Sequence, residues 1–164
     1  MVPLLRAVLF DLGDTLVYLD KPGESVFREN IDSMYGRLLQ LGLKADFRKF
    51  SQTFLRVFED ASATSGLYKI EIPLQEIIAS ALRKVGFRNL GEDLIQTAME
   101  AYYKPEIESW QLFPDAVQIL SALKDTGLEM GIVSNAKSDY AVRTIVRKFD
   151  LENFFKAIIS SASL

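Results

Sequence analysis

Apolar positions change their period twice along this chain. From Leu4 to Phe10 they form an almost unbroken run that stops at Asp11. Such a run predicts a strand of a parallel sheet, covered by helices on both faces, because only a strand of that kind needs apolar side chains at consecutive positions. Leu12 to Gly23 then reads as a loop, with Lys21-Pro22-Gly23 as its breaker. From Glu24 the period is helical. Phe27, Ile31, Met34, Tyr35 and Leu38 share one face of a first helix reaching Leu41, and Phe47, Phe50, Phe54, Val57 and Phe58 stripe a second, from Asp46 as N-cap to Ala61. Pro73 opens a third, which carries Leu74, Ile77, Ile78, Ala81, Leu82 and Val85 and stops before Gly86. Leu94, Ile95, Ala98 and Tyr102 mark a fourth, Glu92 to Tyr103, which Pro105 ends. Each stripe covers one helix face only, so the aromatic residues read as the core of a helical bundle rather than as a ligand box.

From Trp110 helices and strands alternate. Pro114 opens a helix to Lys124 with Ala116, Val117, Leu120 and Leu123 on one face, and Leu128 to Val133 reads as a strand. Ser138 caps a helix carrying Val142, Ile145, Val146 and Phe149, and Lys156 to Ser160 reads as a third strand. This order predicts an α/β fold, a Rossmann-like parallel sheet with right-handed crossovers. The expected division is a core of residues 1–16 and 109–164, interrupted by a helical domain of residues 17–108.

Composition narrows the chemistry. The chain has 164 residues and a net charge of −3, so nothing in it marks a nucleic-acid partner. It holds no cysteine and no histidine, which removes thiol nucleophiles, zinc clusters of the usual kind and any imidazole base. Catalysis must use carboxylates, hydroxyls, amines or an oxygen-bound metal. The N-terminal segment lacks the basic start and small-residue cleavage site of a signal peptide, and no apolar run is long enough for a membrane span. The expectation is a cytoplasmic protein with no membrane partner.

Two strand ends carry the candidate chemistry. The first strand runs into Asp11-Leu12-Gly13-Asp14-Thr15-Leu16, and the second into Ser134-Asn135. Carboxyl ends of parallel strands are where open α/β sheets place their ligands. Taken singly, each group reads as well as turn or cap chemistry. Together they resemble the haloacid dehalogenase superfamily, whose first motif is an apolar strand ending in D-x-D-x-T, or D-x-G-D-T-L in some members, and whose second is an apolar strand ending in Ser or Thr.

The resemblance implies a hydrolase in which Asp11 attacks the electrophile and forms a covalent intermediate that water then breaks. Thr15 would support the turn, and Ser134 and Asn135 would hold the oxygens of the transferred group. In phosphatase members Mg²⁺ binds the nucleophile and a backbone carbonyl two residues on, here Asp11 and Gly13, with acids from a later motif. The insert would be a cap that closes over the site. Two departures follow. The second aspartate that phosphatases carry is Gly13 here, with Asp14 one residue further on, either a displaced acid or a turn residue. The family's later lysine and acidic pair would fall beyond Leu164, leaving Lys137 as a nominal substitute or a solvated loop lysine. The expectation is a phosphatase of a small phosphorylated metabolite, nearly inactive as the 164-residue chain alone. Hydrolysis at carbon of a small carboxylated substrate, needing no metal, and a catalytically incompetent binding protein stand as alternatives. With its flanking strand missing, the first strand would be an exposed edge, prone to self-association or to pairing with a missing C-terminal segment.

Overall fold

The computed structural model describes residues 5–88 and 90–163. The predicted strand start at Leu4 lies outside them. The chain forms two compact units, one from the segments up to Asp20 and from Trp110 onward, the other Lys21–Ser109.

The first unit is built on a parallel sheet of β1 (Ala7–Phe10), β4 (Glu129–Ser134) and β5 (Ala157–Ser160), in the order β1-β4-β5. Phe10 stands opposite Ile132, and Ser134 opposite Ser160. Helices α5 (Ala116–Asp125) and α6 (Asp139–Lys148) lie in the connections to β4 and β5. The expectation that helices cover both sheet faces is corrected. Met130, Ile132, Ser134 and Ser160 are buried, while Leu9, Val133 and Ile159 on the other face keep 69%, 43% and 41% of their surface exposed. The cause is topological: a sheet that grows in one direction through right-handed crossovers puts successive helices on one face. Apolar residues at alternate positions therefore serve the core and solvent in turn.

A second correction concerns the predicted loop from Leu12 to Gly23. Within it, β2 (Val17–Leu19) pairs antiparallel with β3 (Trp110–Leu112), Val17 opposite Leu112 and Leu19 opposite Trp110. The ladder joins the two chain segments of this unit just where the helical insert leaves and returns.

The second unit holds α1 (Gly23–Gln40), α2 (Phe47–Tyr68), α3 (Leu74–Lys84) and α4 (Glu92–Ser109). The stripes read from the sequence supply most of its core: Met34, Leu38, Phe50, Phe54, Leu74, Ile77, Ile78 and Leu82 are fully buried, joined by Met99, which the stripes did not include, whereas Phe47, read as a core residue, keeps 42% of its surface exposed at the start of α2. Asp46 caps α2 by accepting from the Lys49 N–H at 2.9 Å. Two helix ends differ from expectation. α2 continues past Ala61 to Tyr68, where Lys69 takes a left-handed conformation at φ 56°. α4 passes through Pro105 to Ser109. Proline deprives the carbonyl four residues earlier of its helical donor. Here that carbonyl, Ala101 O, accepts from Ser33 Oγ of α1 at 2.7 Å instead. Among the described residues no helix is long and apolar enough to cross a membrane.

Candidate active site

β1 ends at Phe10 and the chain turns at once. Leu12 is buried and its carbonyl accepts from the N–H groups of Thr15, Leu16 and Val17 at 3.4, 2.9 and 3.1 Å. Asp14 donates its N–H to Val17 O at 2.7 Å and holds a left-handed φ of 56°, which a short polar side chain tolerates. Asp11 is exposed at the mouth of this closed turn, with Oδ1 accepting from the Leu12 N–H at 2.7 Å. The four hydrogen bonds of the turn go to Leu12 O and Val17 O, not to Gly13 O.

Asp14 and Thr15 line a cavity of about 340 Å³ with Phe10, Phe113, Asp115 and Ile119, and Asp11 and Gly13 take no part in its wall. Gly13 instead meets Trp110. A Cβ at Gly13 would stand 3.4 Å from Trp110 Cη2 on the far edge of the indole. Trp110 Nε1 is buried without a hydrogen-bond partner.

The second strand end lies beside the first. Ser134 closes β4, is 8% exposed and pairs in register with the fully buried Ser160. Continuing the β1–β4 register past Phe10 and Ile132 puts Asp11 level with Val133, one residue short of Ser134, on strands about 4.8 Å apart. The parallel sheet thus carries both residues to one edge. Asn135 is exposed and Lys137 half-buried in the loop that follows. Ser161 ties that loop down: its Oγ accepts from the Ala136 N–H at 3.0 Å and donates to Ala136 O at 3.2 Å. Ser138 caps α6, accepting from the Ala141 N–H at 3.4 Å. Asp139 takes Ser160 Oγ on one oxygen at 3.0 Å and Arg143 Nε on the other at 2.6 Å. Trp110, Asp139, Ser160 and Ser161 had not been singled out from the sequence. Ser160 and Ser161 follow an apolar run as Ser134 does and could have been read by the same rule; Trp110 comes to Gly13 through a strand pairing that no local pattern announces.

Asp11 offers an exposed carboxylate, and Gly13 a carbonyl outside the turn's hydrogen bonds; both are the hard oxygens Mg²⁺ takes. Among the described residues no group of three or more His, Cys, Asp or Glu could hold a metal. An ion on these two oxygens alone would draw the rest of its shell from water and substrate.

Comparison with known proteins agrees with this architecture. The family model for haloacid dehalogenase-like hydrolases matches residues 5–164. The glyceraldehyde 3-phosphate phosphatase of Methanocaldococcus jannaschii is 22% identical over 96% of this chain and 63% of its own length. That of Methanopyrus kandleri is 22% identical over 98% of this chain and 64% of its own. The chain spans less than two thirds of these curated relatives. Among solved structures, a Thermotoga maritima protein assigned as a beta-phosphoglucomutase superposes with a TM-score of 0.54 at 13% identity, over 98% of this chain and 63% of its own. That likeness establishes the shared fold.

Proposed function

The chain belongs to the haloacid dehalogenase-like hydrolases, and on that premise we propose that it is the nucleophile-bearing part of a phosphatase acting on a small phosphorylated metabolite. One observation carries the reading: an exposed carboxylate, Asp11, stands at the carboxyl end of β1 beside the end of β4, on a turn locked by its own backbone hydrogen bonds. A nucleophile held that way loses little freedom on reaction. The phosphatase relatives support the same choice.

In this reading Asp11 attacks phosphorus, and a covalent phosphoryl group on Asp11 splits one hard displacement into two easier ones. Ser134 Oγ and the backbone around Asn135 donate to the phosphoryl oxygens, where donors fixed in advance act most strongly. The Ser161 tie to Ala136 keeps that loop in place. Thr15 stabilises the turn through its N–H to Leu12 O. Lys137 is the cation of the β4 loop nearest in sequence to Ser134 and adds positive charge beside the transferred group. A bound Mg²⁺, held by the Asp11 carboxylate and the Gly13 carbonyl, would offset phosphate charge. The helical insert, Lys21–Ser109, takes the part of a substrate-selecting cap. Cytoplasmic location and self-association through β1 belong to the same proposal.

The Trp110 ring beside Gly13 favours a second reading. Dehalogenase members of the family usually place a bulky aromatic beside the nucleophile motif, and here an aromatic arrives from β3. The same aspartate would then attack carbon and release halide without a metal.

The test is hydrolysis of p-nitrophenyl phosphate by the full-length protein with and without Mg²⁺, beside halide release from 2-chloropropionate. Mg²⁺-dependent turnover abolished by Asp11→Asn supports the phosphatase. Metal-free halide release moves the assignment to carbon. Neither activity, with a defined binding partner, makes the protein a non-catalytic relative.

A further inference from the structure

Transfer of a phosphoryl group to Asp11 must dispose of the leaving oxygen. A bond forms between Asp11 Oδ and phosphorus, the bond from phosphorus to the leaving oxygen breaks, and that oxygen departs with the electron pair. An alkoxide leaves readily at neutral pH only when a nearby acid hands it a proton. Apart from Asp14, the turn that carries Asp11 holds no carboxylic acid suited to that task. The chain contains no histidine and no cysteine. Gly13 has no side chain, and the space beside it is faced by the hydrocarbon edge of Trp110 at 3.4 Å. Asp14, the turn's other acid, lines the cavity against α5 with Asp115 and Ile119, and Asp11 is not in the wall of that cavity. Thr15 lines the same cavity. Ser134 is an alcohol and holds its proton far too tightly to serve as an acid near neutrality.

The geometry points to a substrate class: phosphoryl compounds whose leaving group departs as a stable anion, acyl phosphates foremost, rather than alkyl phosphate esters. This rests on the reading of Asp11 as nucleophile. The second half-reaction obeys the same rule. Water attacks phosphorus, the Asp11–phosphorus bond breaks, Asp11 leaves with the electron pair as a carboxylate, and the proton of water passes to solvent. The phosphoryl-Asp11 intermediate is itself an acyl phosphate, so neither half needs a proton delivered to its leaving group.

The experiment compares kcat/KM for acetyl phosphate, p-nitrophenyl phosphate and glycerol 1-phosphate on the full-length protein. Acid-quenched samples are taken for the mass of the Asp11 peptide. The expected result is a phosphoryl adduct on Asp11 and a fall of about a thousandfold or more from acetyl phosphate to glycerol 1-phosphate, the scale of a missing general acid. Gly13→Asp puts a carboxyl group against the Trp110 edge, where poor solvation favours its protonated form. It should narrow the ratio between the two substrates by at least about tenfold. An Asp11 adduct with glycerol 1-phosphate turned over within about tenfold of acetyl phosphate overturns this inference and leaves the nucleophile standing. Absence of an adduct from every donor overturns the nucleophile reading, and this inference with it.

Discussion

Ser33 Oγ donates to Ala101 O at 2.7 Å, four residues before Pro105. Proline can neither donate to that carbonyl nor avoid crowding it. The hydroxyl on α1 thus lets α4 run on to Ser109. Ser33→Ala should destabilise the protein by about 1–3 kcal/mol, the cost of a carbonyl left without a partner in a half-buried place. Pro105→Ala restores a backbone donor, so the double variant should lose much less than Ser33→Ala alone. Urea melts of the four proteins measure this coupling; additive losses would refute it.

Tyr102 and Tyr103 give the helical unit an alkaline limit. Burial, joined by the nearby Glu106 carboxylate, pushes both phenols well above their ordinary 10.0. The folded state therefore favours the neutral phenol. Its stabilising share is complete below about pH 10 and is lost as pH rises from there toward the folded-state values, by about 1.4 kcal/mol per pH unit per tyrosine. Stability measured by denaturant melts at about pH 9 to 11 should fall steeply, and Tyr103→Phe should flatten the fall. An unchanged slope in the variant would show that Tyr103 titrates normally.

The Ser134 hydroxyl should matter to catalysis and little to folding. It is buried at the end of β4 beside Ser160. If it donates to the transferred group, Ser134→Ala lowers kcat/KM by about a hundredfold or more, as loss of one fixed donor does elsewhere. Ser134→Thr keeps the hydroxyl and should retain most of the rate. Equal losses in both variants would make the residue a packing element.

Much of this was legible in the sequence because the signals were local. Phe50 and Phe54, like Leu74, Ile77 and Ile78, stand at helical spacing and are fully buried. Asp11 and Ser134 end apolar runs, and parallel pairing of β1 with β4 alone carries both to one edge. What was not legible depended on distant partners. Nothing in Val17-Tyr18-Leu19 announces pairing with Trp110-Gln111-Leu112, since the partners are separated by the whole helical unit. Pro105 reads as a helix end unless Ser33 is known to stand opposite Ala101. Consecutive apolar residues in β1 read as buried on both sides, whereas Leu9 faces solvent because the order β1-β4-β5 puts both crossover helices on the other face.

That exposed face yields the last prediction. β1 is one of the two edges of the described sheet, and Leu9, Val133 and Ile159 form an apolar row across it. An unblocked edge strand offers free backbone donors and acceptors, and an apolar face beside it adds a hydrophobic reason to associate. The 164-residue chain should therefore self-associate with rising concentration. Leu9→Lys places a charge in the middle of the row, at a position already open to water, so it costs little folding stability while opposing a second apolar face. Sedimentation velocity should show association for the parent chain and a monomer for Leu9→Lys, with matching far-ultraviolet circular dichroism. Identical sedimentation of the two proteins would place any self-contact elsewhere on the surface.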